Sequence, residues 1–208
     1  GQAGQGQEAR AEESVTLDLD DTIAAIATAP GGGLRGIVRI SGVNAAAVLS
    51  RMGSFAQPLA AVRRASIVAG TVNLPQDIGR LPVTLYWWPT AKSYPRQPCG
   101  ELHMLGSPPL MAAMLEAACA AGARLARPGE FTLRAFLAGR LDLTQAEAVL
   151  GVIEADSRRA LDAALGQLAG GLARPLADLR ERLLDLLAHL EAGLDFVEED
   201  IEFISRPA

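Results

Sequence analysis

The chain has little of several things. Aromatic residues make up only 4% of it, it holds two cysteines and two histidines, and among 208 residues there is a single lysine, Lys92. With so few aromatics the core must be built mainly from Ala, Leu, Val and Ile. Half of the residues are hydrophobic, enough for one sizeable core or two modest domains sharing an interface. Cys99 and Cys119 form neither a Cys-x-x-Cys pair nor a zinc-ligand spacing and read as two reduced thiols of a cytosolic protein. The net charge of −5 gives no global attraction to nucleic-acid phosphates, so any RNA would be gripped elsewhere or through a local patch. A membrane-spanning helix needs about 20 mostly apolar residues. The best run, 108–122, is shorter and is interrupted by Glu116, and residues 1–20 carry no apolar signal-peptide core. These absences predict a cytoplasmic protein without a membrane partner. The first residue is Gly rather than Met, and the reading is that the chain is a fragment of something longer.

Nucleotide motifs are missing too. No G-x-x-x-x-G-K-[ST] phosphate loop exists, so this segment is expected not to hydrolyse GTP. Gly31-Gly32-Gly33-Leu34-Arg35-Gly36 matches G-x-G-x-x-G in form, but it leads into the strand-like Ile37-Val38-Arg39-Ile40. A dinucleotide fingerprint must open a helix, whose N-terminal amides meet the pyrophosphate. The run is therefore read as a glycine turn between strands that can let a ligand approach the backbone. No nucleophile and base pair off in the sequence, and no catalytic or metal-ligating residue is assigned.

What is present divides into three parts. Residues 1–20 are polar, Gly/Gln/Glu-rich and aperiodic, and are predicted to be a disordered lead. Residues 21–140 read as an α+β domain. Strands are predicted at 22–27, 36–41, 66–72, 83–88 and 101–105, with a short helix at 44–52. In 36–41, Ile37, Arg39 and Ser41 share one face, and Val38 and Ile40 the other. Ser107-Pro108 is a helix-start signal for a helix over 108–121, apolar on most sides and expected to be buried. A further helix over 129–138 stops at Gly139, read as a left-handed residue just past the helix end. Residues 141–208 read as helical. Thr144-Gln145-Ala146-Glu147 is taken as a capping box opening a long helix that runs to Gly170-Gly171. Beyond it, Leu172, Leu176, Leu179, Leu183, Leu186, Leu190 and Leu194 recur at alternating steps of three and four. Pro175 is placed in that helix's first turn. Two long amphipathic helices make a poor core alone, so this hairpin calls for further helices from a missing part or a partner subunit.

Two charges stand out in apolar strands, Arg39 and Glu101, with His103 two residues beyond Glu101. Each either sits on a wet face or lines a pocket. In a pocket, Arg39 would meet a carboxylate or phosphate bidentately, and Glu101 would accept from an aminopyrimidine-type donor edge. His103 is read first as a structural histidine and second as a ligand contact, and His189 as a surface residue.

The stretch Arg127-Pro128-Gly129-Glu130-Phe131-Thr132-Leu133-Arg134-Ala135-Phe136, continuing through Gly139-Arg140-Leu141-Asp142-Leu143-Thr144-Gln145-Ala146-Glu147-Ala148, resembles the block shared by tRNA-modification GTPases of the MnmE/TrmE family. The resemblance extends to Asp21-Thr22-Ile23-Ala24-Ala25, to Gly36-Ile37-Val38-Arg39-Ile40-Ser41-Gly42, and to Leu194-Asp195-Phe196-Val197-Glu198-Glu199-Asp200-Ile201. It covers about residues 21–204, most weakly over 51–100.

The resemblance implies an N-terminal mixed or antiparallel sheet domain like the tetrahydrofolate-binding domain of aminomethyltransferases, followed by a long helical hairpin. It implies a homodimer that binds 5-formyl- or methylene-tetrahydrofolate and acts, with an FAD-dependent MnmG/GidA-type partner, in the carboxymethylaminomethyl modification of wobble uridine in tRNA. GTP, magnesium and potassium would belong to a GTPase domain expected downstream, and a C-terminal Cys-x-Gly-Lys box would complete the site. The family's folate contacts fall on Arg39, Glu101 and Arg140, the last where the family commonly has Lys. The family usually reads Ser-Tyr-Thr-Gly-Glu-Asp before the Glu101 strand and His-Gly-Gly after it. This chain has Ser93-Tyr94-Pro95-Arg96-Gln97-Pro98 and Met104-Leu105-Gly106-Ser107 there. Two other readings therefore stand beside the first: a free-standing aminomethyltransferase-like folate protein, and a binding-inactive dimerisation module of a divergent paralogue.

Overall fold

The structure is a computed structural model that describes residues 19–75, 78–171 and 173–195. The predicted lead lies outside the described residues except for Leu19 and Asp20, as does the acidic segment around Glu198-Glu199-Asp200. The chain divides into two compact units, one drawn from residues 1–90 and 97–125, the other from 91–96 and 126–208.

The first unit is built on a seven-stranded mixed sheet. Its strands are β1 (Ile23–Ile26), β2 (Gly33–Ser41), β3 (Gly53–Phe55), β4 (Ser66–Leu74), β5 (Gly79–Trp88), β6 (Cys99–Gly106) and β7 (Arg124–Leu125), in the order β3-β4-β5-β6-β2-β1-β7. Every pairing is antiparallel except that of β1 with β7. Pro82 falls within β5 where the strand pairs only with β4, because the β5–β6 ladder begins at Thr84. A proline there costs no ladder bond on the unpaired side.

Alternation along the strands sorts the two faces. Val38, Leu102, Leu85 and Val68 stand in register across β2, β6, β5 and β4, and all are buried. Helices α1 (Ala45–Met52) and α2 (Pro108–Ala120) cover this face and complete the core with Val48, Leu49, Met111 and Met114. Gly100 leaves the space that the Leu49, Leu85 and Trp87 side chains occupy. The turn from β2 into α1 needs Gly42, whose φ is 144°, because a Cβ would run into the backbone of Asp21 and Thr22. Helix α2 starts after Ser107 as the sequence predicts. It buries one face only, since Ala112, Glu116 and Ala120 are exposed.

The second unit contains α3 (Glu130–Leu137), α4 (Leu143–Glu154), α5 (Arg158–Leu168) and α6 (Ala173–Asp195). Gly139 has φ 68°, the left-handed C′ geometry read from the sequence. Two expectations are corrected. The capping box is Asp142 with Gln145, not Thr144 with Glu147. Asp142 Oδ1 accepts from the Gln145 amide at 2.8 Å, and Gln145 Oε1 accepts from the Asp142 amide at 3.1 Å. Thr144 instead donates its hydroxyl to Asp142, and this bond with that from the Gln145 amide holds the carboxyl below its ordinary pKa. The predicted long hairpin arm is also two helices. The chain breaks at Ala155-Asp156-Ser157, where Ser157 caps α5 by accepting from the Ala160 amide at 3.2 Å. The hairpin is therefore made by α4 and α5, which Gln145 and Gln167 tie together through the carbonyls of Leu168 and Thr144. Helix α6 follows, with Pro175 in its first turn as predicted.

Candidate functional site

The other face of the sheet carries the chemistry. Ala25, Arg39, Glu101, Tyr86 and Ile67 form one row across β1, β2, β6, β5 and β4, and Ile37, His103, Thr84 and Ala69 form the next. Ile67 and Leu105 are well exposed on this side. Arg39 donates Nε and Nη2 to Glu101 Oε1 at 2.9 and 2.8 Å. His103 Nε2 lies 3.2 Å from Glu101 Oε2, and the imidazole packs on the Tyr86 ring with centroids 4.2 Å apart. His103 Nδ1 is buried without a hydrogen-bond partner among the described residues. Tyr86 in turn stacks on Trp88 at 6.4 Å.

This arrangement explains why the two charges occur in apolar strands. Arg39 and Glu101 are cross-strand partners, with side chains 28% and 17% exposed. Glu101 is held from both sides, yet a carboxylate has about four acceptor positions. It retains capacity for donors arriving from the open side. Arg140, the third predicted site residue, belongs to the other unit. It is exposed, one residue past Gly139, and its amide donates to the Ala135 carbonyl at 2.9 Å.

Two cavities flank the Gly33 end of β2. One of about 200 Å3 is lined by Leu34, Arg35, Thr84, Tyr86, His103 and Met104. A larger one of about 490 Å3 lies beside the glycine turn, with Ile26, Pro30, Arg35, Pro108 and Met111 among its walls. A β-bulge between Gly33 and Gly36 pushes Leu34 and Arg35 outward, leaving Leu34 95% exposed. In the sequence Arg35 reads only as part of a glycine turn, with no sign of this exposure. The signal is the extra residue on β2, which becomes visible only when β6 is laid beside it.

Elsewhere the buried ionisable groups are structural. Burial pushes the Cys99 thiol up to about 12. Glu130 and Arg134 form a buried ion pair on α3 at 2.8 Å, and Glu130 also accepts from the Arg127 amide at 2.8 Å. Arg96 is a non-glycine residue with φ 58°, in the left-handed region that side chains rarely adopt. Among the described residues no group of three or more His, Cys, Asp or Glu side chains could hold a metal ion, and no helix is long and apolar enough to cross a membrane.

Comparison with known proteins identifies the family of the chain. Residues 22–140 match the family model described as GTP-binding protein TrmE N-terminus, and residues 143–208 match that of the MnmE helical domain. A tRNA modification GTPase MnmE of Rhodopirellula baltica is 57% identical over 194 residues, covering 93% of this chain and 42% of that protein. The proteins of the same name from Heliobacterium modesticaldum and Syntrophotalea carbinolica are 46% and 45% identical, each covering 88% of the chain and 40% of the relative. The chain thus spans about 40% of the length of these curated relatives. On the two matched models together, the chain belongs to the MnmE family, of which it carries the TrmE N-terminal and helical-domain regions.

Proposed function

We propose that this chain is the folate-binding and dimerising part of a tRNA-modification GTPase, working in the cytoplasm. Its domains are an α+β domain over 21–140 and a partial helical domain over 141–208. The observation that carries the folate reading is the Arg39–Glu101–His103 cluster on the open sheet face, beside the Tyr86 ring. An ionised carboxylate held by a guanidinium is an acceptor-only group, suited to the amino and ring N–H donors of a reduced pterin. Tyr86 and His103 offer a flat surface next to it. Arg140 contributes a further cation toward 5-formyl- or methylene-tetrahydrofolate.

The exposed Ile67 and Leu105 on the same face favour a homodimer. GTP hydrolysis, with magnesium and potassium, belongs to the remainder of such a protein, as do tRNA binding and the FAD-dependent MnmG/GidA-type partner. This chain itself carries no phosphate loop.

Calorimetry with 5-formyl-tetrahydrofolate tests the reading. The wild type should bind, and Glu101→Gln should bind roughly tenfold to a hundredfold more weakly, as loss of a charge-assisted bond implies. Equal affinities remove Glu101 from the site. No binding by the wild type would favour a binding-inactive dimerisation module.

A further inference from the structure

Arg39 does not stand as an isolated cation awaiting an anion, because Nε and Nη2 are both engaged with Glu101. Arg124 is paired with Asp21, and Arg51 donates to the Ala121 carbonyl. Arg35 is different. Its side chain makes no hydrogen bond or ion pair with any described residue, it is exposed, and among the described residues it is the only charged side chain lining either cavity at the Gly33 end of β2.

We propose that Arg35 is the anion-binding group of the site and takes the glutamate carboxylate of a folate whose pterin lies at Glu101. This rests on the folate reading above. Arg35 lies four residues before Arg39 on β2, about 13 Å along a strand that rises about 3.3 Å per residue. Side chains suited to recognition stand next to both. The cavity lined by Arg35 also has His103, Tyr86 and Thr84 in its walls, and His103 stands next to Glu101. A ligand with its donor edge on Glu101 therefore passes over the His103–Tyr86 ring pair before its tail meets the guanidinium. That order, hydrogen-bonding ring, flat bridge, carboxylate, is the order of groups in a pteroylglutamate.

The local backbone supports the placement. The bulge between Gly33 and Gly36 turns Arg35 out of the ladder. Gly36 and Gly106 keep the strands close there, since a Cβ on Gly106 would meet the carbonyls of Gly33 and Arg35 at 2.8 and 2.9 Å, and one on Gly36 would strike the Met111 sulfur. Arg35 is thus presented from a fixed backbone and not from a slack loop. Its guanidinium offers a carboxylate two parallel N–H donors. Exposed at the edge of that cavity, it would leave further γ-linked glutamates room to extend into solvent.

The test compares two ligands on two proteins, using the full chain. Calorimetry measures 5-formyl-tetrahydrofolate and the matching 5-formyl-tetrahydropteroate, which lacks the glutamate, against wild type and Arg35→Ala. The expected result is a roughly tenfold or greater loss of folate affinity in Arg35→Ala with pteroate affinity unchanged, and partial rescue by Arg35→Lys. If the wild type binds the folate and Arg35→Ala binds it equally well, the assignment of Arg35 fails while the folate reading stands. An equal loss for both ligands also overturns it, because Arg35 would then act on the ring or on the fold. If the wild type binds neither ligand, the folate reading fails and this assignment with it.

Discussion

Arg39 and Glu101 stand directly opposite one another on β2 and β6, and two guanidinium nitrogens of the first reach one carboxylate oxygen of the second at 2.9 and 2.8 Å. The second oxygen faces His103. The pair therefore orients the carboxylate before any ligand arrives. Removing Arg39 leaves a mostly buried carboxylate with only His103. Arg39→Met should destabilise the protein by about 1–3 kcal/mol. Arg39→Lys should recover only part of this, because an ammonium cannot reproduce the guanidinium fork. Urea unfolding followed by circular dichroism reads both. A midpoint unchanged in Arg39→Met would mean the pair is a solvated surface contact.

A second ion pair is structural and lies in the other unit. The Glu130 and Arg134 side chains are each 1% exposed, one turn apart on α3. Taking away one buried partner is far costlier than taking away both, since the remaining charge is stranded. Arg134→Met should cost about 3–5 kcal/mol. The double variant Glu130→Leu with Arg134→Met should be the more stable of the two, although the Arg127 amide then loses its acceptor. Denaturant midpoints decide it, and a double variant less stable than the single one would show that the two side chains are not coupled through charge.

How much of this was readable from the sequence depends on the range of the signal. Strands β4, β5 and β6 were legible because several residues alternate between apolar and polar. Strands β3 and β7 have only three and two residues, too few for any periodicity to register. Arg39 and Glu101 could be singled out one at a time as charges among apolar neighbours. That they face each other depends on β2 lying beside β6, 62 residues away in the chain, and local sequence does not encode which strands are neighbours. The capping box shows a different limit. Asp142-x-x-Gln145 and Thr144-x-x-Glu147 are overlapping matches to one pattern, and the backbone uses the first. The break before α5 had a signal in Ser157, a sound N-cap, that the continuing apolar period over Ile153, Ala160 and Ala164 concealed.

The two thiols should separate cleanly by reactivity. Cys99 is buried, and its thiol is pushed up to about 12 chiefly by desolvation, with Glu101 adding to the shift and Arg39 and Ser41 opposing it. The thiolate is the reactive form, so at pH 8 Cys99 is almost wholly protonated as well as shielded. Cys119 is partly exposed. Titration with a disulfide reagent in native buffer should label Cys119 alone, with Cys99 appearing only on unfolding. Raising the pH to 9 should still leave Cys99 silent. Rapid labelling of both thiols in the wild type, or of Cys99 in the Cys119→Ser background, would contradict the buried placement of Cys99 on β6.

The leucine stripe of α6 leads to the last expectation. Leu176, Leu179, Leu183, Leu186, Leu187 and Leu190 are each about half exposed. Their spacing of three and four puts them on one side of the helix, as a packing seam requires. Yet α6 makes no extensive contact with another element among the described residues. Isolated helices gain little from propensity alone and depend on a buried face. The amides of α6 should therefore exchange with solvent much faster than those of β2, β5 and β6, and the chain should bind a hydrophobic dye in its native state. Placing charge on the seam separates exposure from burial. Leu183→Lys combined with Leu187→Lys should reduce dye binding and leave the unfolding midpoint of the sheet unit within about 0.5 kcal/mol of the wild type, as for surface substitutions. A double-lysine variant that unfolds several kcal/mol more easily, together with slow exchange across α6, would show that the seam is already covered, by a second copy or by the chain itself.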